Sequence, residues 1–254
     1  MVNRMKEQLN QGNAVFGVSI MIPSVQLVEM VGKLGFDWVL IDCEHGSMSL
    51  ETVELMAMAA QASGLIPIVR PPKNDAETIL QYMDRGVMGI QAPHVSTATE
   101  ARAVVDAVKY HPLGTRSLAV GTRAANYGFN LTLSEYTQQA NREILVCVQI
   151  EDKDALANIT EIAGVEGIDV LFVGPSDLSQ SLGHPGNSEH PVVREAMQNA
   201  FRTISKSPKA AGTAGNIELT AMRLEQGVTY YYIHLTTLLA RGCSEFFRAA
   251  QKKS

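Results

Sequence analysis

The sequence predicts a parallel (β/α)8 barrel, and three observations support this prediction. The chain has 254 residues, close to the roughly 250 of a typical α/β barrel. Short apolar runs rich in branched residues alternate with longer amphipathic segments about eight times along the chain. These runs are almost continuously apolar, as residues 38–41 show, which is typical of parallel strands buried on both faces. We therefore expect one (β/α)8 TIM barrel domain over residues 1–254.

The individual elements follow from the change between apolar runs and amphipathic segments. The strands are expected at residues 14–22, 37–43, 66–70, 88–93, 144–150, 169–173, 210–214 and 229–233. The helices are expected at residues 24–34, 50–62, 76–85, 97–110, 134–142, 154–163, 191–205, 217–225 and 238–251. Between residues 112 and 130 the alternation is interrupted, and we expect a long loop there.

Two further features bear on the architecture. Glycines follow several predicted helices, where a left-handed residue commonly ends a helix; these are Gly35, Gly64, Gly86, Gly167 and Gly227. The competing fold is an open, doubly wound sheet, which usually carries a glycine-rich phosphate motif after its first strand. Residues 21–24 read Met-Ile-Pro-Ser at that place, which favours the closed barrel.

Composition narrows the class of function. A formal net charge of −5 disfavours nucleic acid or an anionic membrane surface as the main partner. Residues 1–12 are too polar for a signal peptide, and no apolar run approaches the roughly 18 residues of a membrane span. Cys43 and Cys147 lie in apolar runs and are expected to be buried free thiols. We therefore expect a cytoplasmic protein without a zinc site.

Polar side chains gather at the ends of the predicted strands, where barrel enzymes place their active sites. They are Asp42, Glu44, His45, Arg70, Gln91, His94, Gln149, Glu151, Ser176, Asp177 and His234. Charges that follow apolar runs must be paired, because an isolated buried charge is costly. Two interpretations remain open. The groups either close the barrel mouth by pairing with one another, or they form an enzyme site.

The acids of strands five and six suggest a metal site. Gln149 and Glu151 are two residues apart and therefore point to the same face of their strand. Asp177 follows the next strand, so two carboxylates and an amide oxygen are expected to lie together. Hard oxygen ligands of this kind suit Mg²⁺ or Mn²⁺ and are poor ligands for structural zinc. A pair of carboxylates acting as general acid and base is the alternative.

Five stretches, taken together, resemble the HpcH/HpaI aldolase family of class II, pyruvate-forming aldolases. The stretches are residues 37–46, 67–70, 121–128, 149–151 and 172–179, and they keep the family's order and spacing over roughly residues 14–215. The resemblance implies a metal-dependent carbon–carbon lyase that cleaves a 4-hydroxy-2-oxo acid reversibly to pyruvate and an aldehyde. It also implies homohexamers in which the last helix, residues 238–251, packs on a neighbouring subunit.

The resemblance further implies a role for each site residue. Glu151 and Asp177 would bind a divalent metal ion, which is Mg²⁺ or Mn²⁺, with Co²⁺ possible. Pyruvate would bind that metal through its keto oxygen and one carboxylate oxygen. Arg70 would stabilise the enolate, His45 would transfer the proton, and Asp42 would orient His45. The remaining expected substrate ligands hold the pyruvate carboxylate and are Gln149, Gly174, Pro175 and Ser176.

Other reactions and one inactive form stay open as alternatives. A phosphoenolpyruvate or pyruvate mutase or lyase would need an anion cradle, which residues 212–215 (Gly-Thr-Ala-Gly) offer. A barrel that only binds a keto acid is the alternative from a different class. A Schiff-base aldolase needs a lysine inside the barrel. The nearest lysines are Lys73 and Lys209, which only flank strands.

The end of strand eight departs from the family pattern. We associate this position with a Ser-Asp pair, whereas residues 233–237 read Ile-His-Leu-Thr-Thr. The aldehyde specificity is therefore the property that the resemblance predicts least well. Arg116 and Arg123, in the predicted long loop, either bind a distal carboxylate of the aldehyde or pair with acids at a subunit contact.

Overall fold

A computed structural model describes residues 2–129 and 131–251. Within these residues, eight parallel strands form a closed barrel in chain order, and the last strand pairs with the first. The strands are β1 (Val15–Ile20), β2 (Trp38–Asp42), β3 (Ile66–Arg70), β4 (Gly89–Ala92), β5 (Leu145–Ile150), β6 (Val170–Val173), β7 (Ala210–Gly215) and β8 (Val228–His234). The predicted (β/α)8 barrel is thus confirmed, and the open sheet is excluded.

Helices surround the barrel and alternate with its strands. They are α1 (Arg4–Asn10), α2 (Val25–Lys33), α3 (Leu50–Ala62), α4 (Ala76–Met83), α5 (Ala98–Val108), α6 (Leu133–Glu143), α7 (Lys153–Ala157), α8 (Ile159–Ala163), α9 (Pro175–Ser181), α10 (Pro191–Ile204), α11 (Thr220–Glu225) and α12 (Leu235–Gln251). Short 3₁₀ turns occur at Asn126–Gly128 and Ile217–Leu219. The five glycines expected after helices all have positive φ.

Successive strand residues face opposite sides, which divides the core into two parts. One apolar cluster fills the barrel and includes Trp38, Leu40, Phe172, Tyr230 and Tyr232. Trp38 stacks on Tyr230 with ring centroids 4.2 Å apart, and Phe172 stacks on Tyr232 at 5.2 Å. The larger cluster, with alternate strand residues such as Val39 and Ile41, lies between the strands and the helices.

Helix α1 was not predicted, because residues 1–12 are polar. Its single buried side chain, Met5, joins the apolar cluster inside the barrel. The side chain of Asn3 donates to the carbonyl oxygens of Met88 (3.3 Å) and Glu143 (2.8 Å). These two residues precede β4 and β5, so α1 covers the N-terminal end of the barrel. One apolar residue and one amide are too weak a pattern to indicate a helix from sequence.

The other expectations about the scaffold are met with small differences. Cys43 and Cys147 are free and buried, and burial raises the pKa of the Cys43 thiol to about 12. The helix predicted at 154–163 is divided at Asn158 into α7 and α8. The long loop is present, although Asn130 at its end lies outside the described residues. Among the described residues, no helix has both the length and the apolar character needed to cross a membrane.

Candidate active site

A cavity of about 220 Å³ lies at the C-terminal ends of the strands. The residues around it are His45, Arg70, Gln149, Glu151, Phe172, Gly174, Pro175, Ser176, Asp177, Ala214, Gly215, Tyr232 and His234. Of the nine residues to which the family resemblance assigns a role, eight line the cavity and Asp42 does not. Side chains that are distant in sequence therefore meet at the end of the barrel where barrel enzymes carry out their chemistry.

Arg70, the last residue of β3, is held from two sides by acids. Its Nε and Nη2 donate to the two carboxylate oxygens of Asp42, at 3.0 and 2.6 Å. Its Nε also lies 3.2 Å from Oε2 of Glu44. Burial opposes the charge of Arg70, but the hydrogen bond to Asp42 prevails and keeps the guanidinium pKa above its ordinary value. The guanidinium is therefore a fixed cation at the cavity wall.

Asp42 also shapes the turn that carries His45. Its Oδ1 accepts from the backbone amides of Glu44 and His45, at 3.2 and 3.3 Å. A Cβ on Gly46 would lie 2.2 Å from the Asp42 carbonyl oxygen, so this tight turn requires glycine. We expected Asp42 to orient the imidazole of His45, but the hydrogen bonds of the described residues connect it to the His45 backbone and to Arg70.

The His45 side chain is 56% exposed, and its Nε2 lies 3.7 Å from Oε2 of Glu44. The imidazole therefore stands at the opening of the cavity, in contact with solvent. Glu44 is 11% exposed and faces His45 and Arg70, and its Oε1 bonds Nε2 of His94 at 2.8 Å. We had assigned no role to Glu44, although it lies inside the stretch that carried the family resemblance.

Gln149 connects the arginine side of the cavity with the acidic side. Its amide oxygen accepts from Nε2 of Gln91 (2.6 Å) and from Nη1 of Arg70 (3.4 Å). Its amide nitrogen donates to Oε2 of Glu151. Gln91 in turn accepts from the hydroxyl of Tyr230 at 3.2 Å. These buried amides fix the positions of Arg70 and Glu151 relative to each other.

Glu151 is almost completely buried and faces a second acid. Burial raises the pKa of its carboxyl, the contact with His94 lowers it, and the negative charges of Asp177 and Glu44 raise it again. Its Oε1 accepts from the His94 backbone amide at 2.7 Å and lies 3.0 Å from Nδ1 of the same residue. His94 thus bridges Glu44 and Glu151. Part of the barrel mouth is therefore closed by polar groups that pair with one another, which was one of the two interpretations of the sequence.

The segment after β6 forms helix α9, which we had expected to be a loop. Gly174 is its N-cap, Pro175 is its first residue, and no side chain caps it. A Cβ on Gly174 would approach Oε2 of Glu151 to 2.9 Å, so glycine allows the backbone to lie against this carboxylate. Proline at the first helical position, followed by an acid in the first turn, was the sequence signal that we overlooked.

The donor set fits a hard divalent cation. Glu151 directly follows β5, and Asp177 lies in α9, which follows β6. Both line one cavity and interact electrostatically. Within the described residues, no group of three or more His, Cys, Asp or Glu side chains converges. Such a cation would therefore have two protein carboxylates and further oxygen ligands from water or substrate, which is the usual arrangement for Mg²⁺.

Several residues considered in the sequence analysis lie away from the cavity. Arg116 pairs with Asp84 at 2.7 Å, and Arg123 bonds Gln61 beside the N-terminal end of β4. Neither arginine reaches the mouth of its own barrel. Lys209 donates to the Ile168 carbonyl at 2.8 Å, and Lys73 is exposed in the loop after β3. This placement disfavours a Schiff-base lysine.

The proposed anion cradle at residues 212–215 is part of β7. All four residues pair with β8, and Gly212 and Thr213 also pair with β6. The Thr213 hydroxyl donates to the Val173 carbonyl at 2.8 Å. Because these backbone groups belong to the sheet ladder, the segment does not offer a phosphate-binding loop, and the phosphoenolpyruvate alternative loses its support.

Enzymes with a closed parallel barrel carry their active site at the C-terminal ends of the strands. The ionisable groups of this chain gather at that end of its barrel. The family model for HpcH/HpaI aldolase/citrate lyase matches residues 20–230. This match covers most of the chain, which therefore belongs to that family. Class II aldolases of the family depend on a divalent metal ion.

Individual relatives agree with this assignment. The chain is 39% identical to a 4-hydroxy-2-oxo-heptane-1,7-dioate aldolase of Klebsiella pneumoniae, over 95% of this chain and 91% of the relative. It is 36% identical to a hydroxypyruvate/pyruvate aldolase of Pseudomonas aeruginosa, over 96% and 91%. The crystal structure of a family protein from Burkholderia cenocepacia superimposes with a TM-score of 0.92 at 27% identity, covering 98% of this chain and 100% of that one. The named relatives are aldolases, which are carbon–carbon lyases.

Proposed function

We propose that this protein is a class II aldolase that cleaves a 4-hydroxy-2-oxo acid reversibly to pyruvate and an aldehyde. The observation that carries the proposal is that Arg70, His45, Glu151 and Asp177 line one cavity, although they lie at or after the ends of four different strands. Retro-aldol cleavage requires the removal of a hydroxyl proton and the stabilisation of an enolate. A fixed cation and an accessible imidazole in one cavity supply groups for both tasks.

Glu151 and Asp177 are the residues that would hold the divalent cation. When bound, a cation such as Mg²⁺ or Mn²⁺, with Co²⁺ as a further choice, supplies Lewis acidity to the keto group of the substrate. Gln149 donates to Glu151 and so fixes the direction of its carboxylate. The close approach of Gly174 to Glu151 brings the start of α9 beside the same carboxylate.

Arg70 stabilises the negative charge on the enolate oxygen. Its Nε and Nη2 are occupied by Asp42, whereas Nη1 points to Gln149 at the longer distance of 3.4 Å. Nη1 is therefore the part of the guanidinium with most capacity for a substrate oxygen. Because Asp42 and Glu44 hold the group in advance, little reorganisation accompanies the reaction, which is the condition for effective electrostatic catalysis.

His45 takes the proton from the substrate hydroxyl during cleavage and returns it during addition. Its half-exposed ring exchanges protons with solvent, and imidazole is the side chain best suited to proton transfer near neutral pH. Asp42 assists by holding the backbone amide of His45. The substrate carboxylate is held by Gln149 and by backbone groups at the start of α9, namely those of Gly174, Pro175 and Ser176.

A coupled assay tests the function directly. The protein is incubated with a 4-hydroxy-2-oxo acid in Mg²⁺, in Mn²⁺ or in EDTA, and released pyruvate is followed with lactate dehydrogenase. We expect release that depends on the metal, disappears in EDTA and returns when metal is restored. EDTA-resistant cleavage that borohydride traps would indicate a lysine mechanism. Absence of release from every keto acid tested would leave a barrel that only binds such acids.

We also propose a homo-oligomer, a hexamer by analogy with the family. Helix α12 has 17 residues, of which only Leu235 is buried, and it exposes Leu239, Phe246 and Phe247 at 56%, 68% and 61%. Apolar surface of this kind marks an interface. Light scattering of the wild type should give about six times 27.5 kDa. The double variant Phe246→Asp and Phe247→Asp should give a smaller mass.

Leu34, an exposed residue at the C-terminal end of α2, provides the control for this experiment. Leu34 is 75% exposed, and Leu34→Asp replaces an exposed apolar side chain with an acid outside α12, so its mass should match the wild type. A monomeric wild type, or an unchanged mass in the α12 double variant, would contradict the proposal.

A cytoplasmic location also remains a prediction, supported by the three free cysteines and testable by cell fractionation.

A further inference from the structure

We propose that His94 is a positioning residue of the aldolase reaction, which fixes Glu151 for the metal ion and links its position to that of Arg70. The inference rests on the proposed function, because Glu151 is assigned there to the metal and Arg70 to the enolate. His94 follows β4 in the segment before α5. It is outside the set of residues that line the cavity, so its effect on the reaction passes through the side chains that it contacts.

His94 completes a closed ring of five polar side chains at the mouth of the barrel. On one side, Nε of Arg70 lies 3.2 Å from Oε2 of Glu44, and Oε1 of Glu44 lies 2.8 Å from Nε2 of His94. On the other side, Gln149 accepts from Nη1 of Arg70 at 3.4 Å and donates to Oε2 of Glu151. The two sides meet where Oε1 of Glu151 lies 3.0 Å from Nδ1 of His94. The members follow or end four consecutive strands, β2 to β5, so the ring fixes these strand ends relative to one another.

His94 and Gln149 hold opposite oxygens of the Glu151 carboxylate. Oε1 accepts from the His94 backbone amide at 2.7 Å and also faces the ring nitrogen Nδ1. Oε2 accepts from Gln149, and a Cβ on Gly174, the N-cap of α9, would approach it to 2.9 Å. A carboxylate that is held at both oxygens keeps one orientation. The contacts of His94 therefore keep Oε2 turned to the start of α9, the helix that carries Asp177.

The backbone of His94 is strained in a way that serves these contacts. Its φ is 52°, in the left-handed region that costs free energy for residues with a Cβ. In this conformation its backbone amide and Nδ1 face Glu151 while Nε2 faces Glu44. Strained backbone of this kind is concentrated at functional sites, where the surrounding contacts hold it in place.

The exposure of the three charged partners separates positioning from stabilisation. The side chain of His94 is 63% exposed, whereas those of Glu151 and Arg70 are 3% and 7% exposed. Ion pairs with an exposed side chain add little to the stability of a fold. The ring therefore has a small effect on unfolding, but it contacts a carboxylate whose orientation the buried site depends on.

The test measures Mn²⁺ affinity by titration calorimetry for the wild type, His94→Gly and His94→Asn. Glycine adopts the left-handed conformation without strain, removes the ring and keeps the backbone amide. Asparagine also tolerates this conformation, and its amide group takes the place of the Nδ1 edge of the ring, so it can still donate to Glu151. We expect the Mn²⁺ Kd to rise about tenfold in His94→Gly and to stay within about twofold of the wild type in His94→Asn.

Two further measurements accompany the affinities. At saturating Mn²⁺, kcat for pyruvate release should be about tenfold lower in His94→Gly, because Glu151 no longer keeps its orientation relative to Arg70. The unfolding temperature of this variant in EDTA should be close to that of the wild type. A lower unfolding temperature with unchanged Mn²⁺ affinity would mean that the ring only closes the barrel mouth, and would overturn the inference. An affinity in His94→Asn as weak as in His94→Gly would also overturn it.

The wild type separates a failure of this inference from a failure of the proposed function. Wild-type protein that binds Mn²⁺ but releases no pyruvate from any 4-hydroxy-2-oxo acid would reject the aldolase function, and the affinities would still decide whether His94 positions Glu151. Pyruvate release by the wild type, with equal Mn²⁺ affinity in all three proteins, would reject only the role of His94. Absence of Mn²⁺ binding by the wild type would reject the metal site and this inference with it.

Discussion

Replacing Glu151 with glutamine should lower pyruvate release by at least about 100-fold and should weaken Mn²⁺ binding by a similar factor. Glutamine has nearly the same shape, but its single amide oxygen can accept from only one of the two donors that bond Glu151, the Gln149 amide and the His94 backbone amide. Among the described residues, the carboxylates that line the cavity are those of Glu151 and Asp177, and the variant loses one of these two. A hard cation depends on the charge of its ligands, and an amide oxygen replaces a carboxylate poorly. Mn²⁺ binding is measured by titration calorimetry and activity by the coupled assay.

The control for this prediction removes an acid of the same type outside the cavity. Asp154, in the first turn of α7, is exposed, so Asp154→Asn should retain wild-type Mn²⁺ affinity and activity. Unchanged Mn²⁺ binding in Glu151→Gln would contradict the assignment of the metal site. Loss of activity with undiminished Mn²⁺ binding would instead favour the alternative in which Glu151 acts as a general acid or base.

Replacing Arg70 with alanine should both inactivate and destabilise the enzyme. The change removes the cation that stabilises the enolate, which is worth at least about 100-fold in turnover. It also leaves Asp42, which is completely buried, without its charge partner. An uncompensated buried charge costs about 3 to 5 kcal/mol, so thermal unfolding should occur at a clearly lower temperature. Arg70→Lys keeps the charge but lacks the two separate nitrogens that bond the two oxygens of Asp42, and we expect an intermediate effect on each property.

The corresponding change at His45 provides the contrast. Because its side chain is 56% exposed and makes only a 3.7 Å contact with Glu44, His45→Ala should reduce turnover with little change in unfolding temperature. Its effect should fall on kcat more than on KM, since the imidazole acts in proton transfer rather than in binding. Wild-type turnover in either Arg70→Ala or His45→Ala would reject the role assigned to that residue.

The barrel was predictable from sequence because its signal is repeated. Eight apolar runs, each followed by an amphipathic segment, gave the number and order of strands, and two elements, β3 and α3, were predicted with their observed bounds. The elements that were missed depend on single residues. Helix α1 is attached through Met5 and Asn3, and α9 begins with one glycine and one proline. Such short segments are set by tertiary contacts, to which local propensity adds little.

The composition of the site was also accessible from sequence, but the pairing within it was not. Strand ends identify which side chains share the mouth, because parallel strands all end on one side. They do not show which acid pairs with each basic side chain. Asp42 pairs with Arg70 rather than with the imidazole of His45. The reason is that the register of β2 and β3 places Asp42 and Arg70 side by side. Tyr232 packs in the apolar cluster inside the barrel and also forms part of the cavity wall.

The aromatic stack inside the barrel gives the protein an internal optical reporter. Trp38 is the only tryptophan in the sequence. It is completely buried, stacks on Tyr230 and packs edge-on against Tyr232, which forms part of the cavity wall. Its emission therefore originates from one defined place, the centre of the closed sheet. Spectral changes in this protein can be attributed to the barrel interior without the mixture of signals that several indole groups would produce.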